Sequence, residues 1–265
     1  MPAPPPAPTR HAPAAAAGWD TPALADPHAA PDKPQRVRAM FASIAHRYDL
    51  NNRLHSLGLD RRWRRVAARA AGVGPGDRVL DAACGTGDLT LELARARPRE
   101  VVGVDFTPEM LELARRKLAA RPADPRTTVS FRAGDALALD FPDASFDAAT
   151  IGFGLRNVAE PVRALAELAR VLRPGGRVVV LEFTTPPGRL ARWVNAVYCR
   201  RVMPVTATLI AHDRTGAYRY LPASVATFMD PPTVCAALRD AGFLEVAFRP
   251  LTLGICGCYR GVRGG

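Results

Sequence analysis

From Arg78 onward, short apolar runs alternate with longer stretches whose apolar residues recur every three or four positions. The runs "RVLDAAC", "EVVGVD", "TVSFRAGD", "FDAATIGFG" and "RVVVLEF" are strand-sized and apolar almost throughout, as strands covered on both faces must be. Between them the periodicity predicts a helix opening near Asp88, a second over 108–120 and a third over 160–172. Strands alternating with helices imply a parallel sheet with helices on both faces. Towards the end "TVCAALRDAGF" reads as a helix, "LEVAFRP" as a strand, and "LTLGICGCYRG" as a last strand able to pair with it antiparallel.

Outside this frame, residues 34–70 read as helical and basic, and 184–230 as an insertion over the binding edge of the sheet. Residues 1–33, mostly proline and alanine without apolar periodicity, are expected to be a disordered leader. They match neither a signal peptide, which needs a basic start and an unbroken apolar core, nor an Arg- and Ser-rich transit peptide. No apolar run approaches the eighteen residues that cross a bilayer, so a cytoplasmic protein is expected. Five scattered cysteines, Cys84, Cys199, Cys235, Cys256 and Cys258, fit a reducing compartment. Cys256-Gly-Cys258 lacks the second ligand pair of a zinc site, so no metal is expected. The net charge of +11 is compatible with nucleic acid, an anionic membrane surface or anionic substrates. With Lys33 and Lys117 the only lysines, it also reads as the arginine excess of GC-rich coding.

In an open α/β sheet, ligands bind beyond the carboxyl ends of the strands. There "LDAACGTGD" supplies Gly85 and Gly87 for a tight turn, and Asp105, followed by Phe106, ends the next strand, where an acid takes a ribose diol. A dinucleotide is a first reading, but the turn is not GxGxxG. Asp88 also stands at the helix start, where a pyrophosphate needs bare N–H groups. S-adenosylmethionine carries an amino group, a sulfonium and a ribose but no phosphate, so Asp81 and Asp88 suit it, although Asp88 alone also reads as a helix cap. Asp135 and Ala136 of "GDA" would border the adenine. After the fourth strand, "TIGFGLRNVAEP" places Arg156 and Asn157 at the same edge, with Gly152 and Gly154 allowing close approach of backbone to ligand.

The strand order matches the seven-stranded Rossmann-like sheet of class I S-adenosylmethionine-dependent methyltransferases. "RYDLNN", "LDAACGTGDLT", "GVDFTPEML", "TIGFGLRNV", "LRPGGRVVVLEF" and "YRYLPAS" together resemble the menaquinone and ubiquinone biosynthesis C-methyltransferases, over about Val37 to Gly254. The resemblance implies methyl transfer from S-adenosylmethionine to a ring carbon of a prenylated quinol such as demethylmenaquinol, with Thr86, Asp105, Asp135 and Ala136 at the cofactor. Two departures stand out. Asp60 replaces a histidine in the family's "GxHRxWR", and "GICGCYRG" replaces a pattern like "GVVALHRG". They keep open a soluble aromatic or polyketide quinone as acceptor.

A ring carbon becomes nucleophilic when an adjacent phenol ionises, so Arg156 is the expected phenolate-stabilising cation, although it also reads as a structural residue pairing with Asp49 or Glu182 to pin the entry segment, and Asn157 is the expected holder of an oxygen or a water. Tyr48 and Asp49 are candidates for closing the pocket and relaying a proton, although Asp49 also reads as a cap. Tyr218 and Tyr220 read mainly as packing. Nucleic acid is set aside because "GFGLRN" stands where amino methylases carry Asp-Pro-Pro-aromatic. The segment "GRLARWVNAVYCRRV" places Leu190, Trp193, Val194, Val197 and Tyr198 on one helical stripe, which suits contact with an anionic membrane surface or a lid. A homodimer is left open.

Overall fold

In β1 (Arg78–Ala82) and β2 (Glu100–Asp105) every residue after the first is buried, because side chains alternate between two covered faces. The structure, a computed structural model, describes residues 18–189, 192–193 and 216–265. With β3 (Thr128–Ala133), β4 (Phe146–Gly152) and β5 (Leu172–Phe183) these strands run parallel. The terminal strands β6 (Phe243–Leu251) and β7 (Cys256–Arg263) complete a sheet of order β3-β2-β1-β4-β5-β7-β6. β7 slots between β5 and β6, antiparallel to both. It starts at Cys256 rather than Leu251 because Thr252–Gly254 forms a tight turn, with Leu253 at φ 56. The order reverses at β1, which pairs with β2 on one side and β4 on the other. Such a switch point leaves a crevice at the carboxyl edge.

The helices are α1 (Thr21–Ala25), α2 (Lys33–His55), α3 (Leu59–Ala70), α4 (Asp88–Leu93), α5 (Pro108–Ala119), α6 (Pro161–Val171), α7 (Ala217–Ala226) and α8 (Pro231–Asp240). Leu80, Val102, Ile151 and Val180 face a core closed by Leu165 and Leu168 of α6 and Leu238 of α8. Their neighbours Val79, Val101, Ala148 and Val179 face the opposite core, closed by Trp63 and Ala67 of α3. Each large aliphatic side chain buried in this way contributes about 1.5–3 kcal/mol.

Residues 1–33 are expected to be disordered, yet the described part of this stretch, from residue 18, is packed on the core. Trp19 is 2 % exposed, its ring 4.3 Å from that of Tyr220, and Asp20 caps α1 by accepting the Ala23 N–H. The His28 ring bonds the Ser224 carbonyl at 2.9 Å, and buried Lys33 donates to the Val158 carbonyl at 2.6 Å. Composition misleads here because one tryptophan and two polar side chains suffice to pin a short segment onto a core built elsewhere. Residues 1–17 lie outside the described part, as do most of the 188–202 stripe, of which Trp193 is exposed, and Cys199. Among the described residues Cys84, Cys235, Cys256 and Cys258 are free thiols, and no helix is long and apolar enough to cross a membrane.

Candidate active site

The turn after β1 is held by its neighbour strand. Asp105, at the end of β2, accepts the Gly85 N–H and the Thr107 N–H, each at 2.8 Å, and burial pushes its carboxyl up. Gly87 sits at φ +79, and a Cβ there would lie 2.7 Å from the Phe131 ring, so only glycine fits the turn. Asp81 is fully buried and accepts the hydroxyls of Thr90 and Thr150, both at 2.6 Å. Burial pushes its carboxyl up to about 6, against the pull of those two hydroxyls. Around this turn a cavity is lined by nine of the ten residues expected at the cofactor, among them Asp81, Asp88, Asp105, Phe106, Asp135 and Ala136. Gly87 is the exception, since it backs onto Phe131.

The electrostatic reading of Asp88 changes. Its carboxylate is 2.6 Å from the Lys117 ammonium; burial pushes its pKa up, but the charges of Lys117 and Arg64 outweigh this and hold it low. Its charge is therefore neutralised inside the protein, whereas Asp81, bonded by the hydroxyls of Thr90 and Thr150, forms no ion pair among the described residues.

Asp49 is neither a cap nor a cavity residue. It lies within α2, accepts the Thr86 hydroxyl at 2.6 Å and pairs with Lys117, while Lys117 also donates to Thr86 at 2.9 Å. Asp49, Thr86, Asp88 and Lys117 thus latch α2 across the glycine turn. Tyr48, next along the helix, lines the cofactor cavity, and burial raises its phenol, which keeps it a proton donor.

Arg156 and Asn157 meet protein first. Arg156, 5 % exposed, pairs with Glu182 at 2.6 Å through Nη1, and its backbone N–H donates to the same carboxylate at 3.1 Å. Nη1 of Arg156 and Nδ2 of Asn157 both donate to the Phe153 carbonyl, at 3.0 and 2.9 Å. Phe153 stands at φ 58, a conformation costing an aromatic residue of order 1–3 kcal/mol. The two polar side chains hold that turn. Tyr220 in turn donates to Asn157 Oδ1 at 2.9 Å, so this tyrosine orients a site residue as well as packing. The Tyr218 side chain lies outside the described part. Gly154 is required for packing, since a Cβ there would lie 2.6 Å from Ala83 Cβ. Gly152 lines the cofactor cavity and abuts Leu89.

A second cavity, of about 440 Å³, is lined chiefly by apolar residues of α2, α3 and α7, together with Arg156, Phe183 and Tyr220. It shares Phe41, Tyr48, Arg64 and Phe153 with the cofactor cavity. Residue patterning did not single out Phe153, Arg64 or Lys117. A lysine in a chain almost without them was the available signal for Lys117; a strained phenylalanine leaves none. Of the two departures, Asp60 lies in this second cavity but is neutralised by Arg64 at 2.5 Å and bonded by Ser56 at 2.9 Å. Tyr259, where the tail pattern has histidine, is 1 % exposed in the core and lines neither cavity.

A seven-stranded α/β sheet with an inserted antiparallel strand and a crevice at the switch point is the class I methyltransferase fold. A SAM-dependent methyltransferase from Thermotoga maritima shares it, with a TM-score of 0.58 at 20% identity over 86% of this chain and 99% of that one. More narrowly, the chain belongs to the ubiE/COQ5 methyltransferase family, which it matches over residues 30–263. Similar relatives include the demethylmenaquinone methyltransferases of Thermus thermophilus, 51% identical over 84% of this chain and 100% of the relative, and of Deinococcus radiodurans, 48% identical over 87% and 93%. The ubiquinone/menaquinone biosynthesis C-methyltransferase UbiE of Geobacter sulfurreducens is 46% identical over 88% and 90%.

Proposed function

We propose that the protein transfers a methyl group from S-adenosylmethionine to a ring carbon of a prenylated quinol, with demethylmenaquinol as acceptor. The observation that carries this reading is the large apolar cavity beside the smaller, acid-lined one, the two meeting at Tyr48, Arg64 and Phe153. The donor set fits the cofactor. Asp105 accepts one backbone N–H on each oxygen, leaving acceptors for a ribose diol, and Asp81, without an ion-pair partner among the described residues, suits an amino group. Asp135 and Ala136 border the adenine side. When bound, S-adenosylmethionine supplies the electrophilic methyl.

The chain's own residues position, exclude water and stabilise charge. Phe153, Phe183 and Trp63, packed ring to ring at 4.7–6.2 Å, keep the acceptor side dry. Arg156 Nε, buried and without a hydrogen-bond partner among the described residues, donates to the ring oxygen that ionises. Asn157, fixed by Tyr220 and Phe153, orients the loop beside the reacting carbon. Asp49 acts as a positioning residue. The soluble-acceptor alternative rested on Asp60, the tail and the leader; Asp60 lines the larger cavity with its charge paired to Arg64, and Tyr259 of the tail lies in the core. A prenyl tail resides in lipid, so the protein works as a peripheral protein on an anionic inner membrane surface, for which its net charge of +11 is suited.

Labelled-methyl incorporation tests this reading with four acceptors: demethylmenaquinol, a tail-free naphthoquinol, a soluble polyketide quinol and RNA. Incorporation should be strongest with demethylmenaquinol and absent with RNA; turnover confined to the soluble acceptors would overturn it.

A further inference from the structure

Asn51 lies on α2 one turn after Tyr48, is 3 % exposed, and lines the larger cavity. Neither its Nδ2 nor its Oδ1 has a hydrogen-bond partner among the described residues. Buried primary amides are almost always paired, because leaving donor and acceptor unsatisfied away from water costs stability. An unpaired one in a cavity wall marks a place where stability has been given up for a ligand. Two other polar groups on this wall are occupied: Tyr48 with Asn52, and Asp60 with Arg64 and Ser56. The nearby surfaces of Met40, Phe41, Ile44 and Trp63 are apolar.

We infer that Asn51 binds a ring oxygen of the acceptor, a second one, away from the oxygen that Arg156 addresses. This deepens the proposed quinol methylation and rests on it. Arg156 follows β4, whereas Asn51 comes from α2, so the two residues reach the cavity from different walls. A quinol offers two ring oxygens, and an amide suits either state of one of them: Oδ1 accepts from a hydroxyl, and Nδ2 donates to an ionised or carbonyl oxygen. The acceptor class this selects is a ring bearing oxygen on both sides, in preference to a simple phenol of the same shape. A site built to bond an oxygen discriminates strongly against the analogue that lacks it.

The test pairs two variants with two acceptors, using the full chain. One acceptor is a short-tailed demethylnaphthoquinol; the other is its analogue in which the hydroxyl not adjacent to the methylated carbon is replaced by hydrogen. Asn51→Leu should lose about ten- to a hundredfold in kcat/KM on the quinol, mostly through acceptor KM, and less than about twofold on the analogue, where the bond is already missing. Cofactor Kd should stay as in the parent. The melting temperature should equal or exceed the parent's, since leucine removes an unpaired buried amide. Asn51→Asp, whose protonated carboxyl at low pH offers an acceptor oxygen and one O–H donor in place of the amide, should fall between parent and Asn51→Leu at low pH. Equal losses on both acceptors, or a marked fall in melting temperature for Asn51→Leu, would overturn the inference while leaving the proposed function intact. A parent enzyme that methylates neither acceptor would overturn the proposed function, and the inference with it.

Discussion

Arg156 shows how one side chain serves two ends. Its pairing with buried Glu182 means that Arg156→Leu strands a carboxylate that is 1 % exposed. The variant should be destabilised by about 3–5 kcal/mol, the usual cost of breaking a buried pair, and also lose single-turnover methyl transfer. Arg156→Leu combined with Glu182→Leu separates the effects: denaturant melts should show most of the stability restored, with single-turnover rate still down roughly a hundredfold. A double variant that regains activity along with stability would reduce Arg156 to a structural residue. Asp81 offers a second test at this scale. Burial lifts its folded-state carboxyl to about 6, well above the ordinary aspartate range, so the native state keeps a proton that the unfolded chain releases earlier. The stability from that proton is complete below about pH 4 and is lost as pH rises through about 6, by on the order of 3 kcal/mol. Unfolding free energies of Asp81→Asn and parent, measured from pH 4 to 7, should diverge by that amount in favour of the variant; a constant difference would contradict the assignment. Sequence reading located both residues and offered Glu182, beside Asp49, as a structural partner for Arg156, and the structure selects Glu182; the hydroxyl partners of Asp81 were not legible. Pairing of Arg156 with Glu182, and of Asp81 with Thr90 and Thr150, depends on neighbouring strands and loops brought together only by the sheet.

Among the elements, α2 carries Tyr48, Asp49 and Asn51, of which the sequence reading named the first two. Its sequence reads as a basic helix, yet one turn of it, Tyr48 to Asn51, gives a cavity residue, a latch and an unpaired amide. If Asp49 serves as a latch, Asp49→Asn should weaken S-adenosylmethionine binding by about five- to tenfold, the worth of a half-buried charge-assisted bond, with single-turnover rate at saturating cofactor near the parent's. A hundredfold loss at saturation would instead make Asp49 the proton acceptor. The segment from Trp19 to Lys33 belongs with α2 and α7. Trp19 backs Tyr220, which bonds Asn157, and Lys33 reaches the Val158 carbonyl, so the segment buttresses the loop bearing Arg156. Deleting residues 1–32 should lower the melting temperature by roughly 10 °C, given about 3–5 kcal/mol for a lost buried tryptophan, and should slow turnover. An unchanged melt would show that these contacts are idle. Proline and alanine content concealed this segment, because composition averages over residues while anchoring needs only a few.

Over the whole molecule, the alternation of strand and helix patterns predicted a parallel sheet covered on both faces and an antiparallel last strand, while the reversal at β1 and the place of β7 between β5 and β6 came only with the fold. A doubly covered parallel sheet imposes that pattern on every element. The cofactor edge was also legible, since glycines and acids at strand ends have few other uses there. The larger cavity was not: its walls come from α2, α3 and α7, far apart in sequence, and apolar lining looks like core until the fold shows it lining a cavity. The central claim, that donor and acceptor cavities meet so that a ring carbon receives the methyl, is tested most directly by locating the transferred group. Purified protein incubated with demethylmenaquinol and S-adenosylmethionine carrying a trideuterated methyl should yield a quinol with that methyl on a ring carbon, as read by mass spectrometry and NMR. No product, or a product methylated on oxygen, would contradict it.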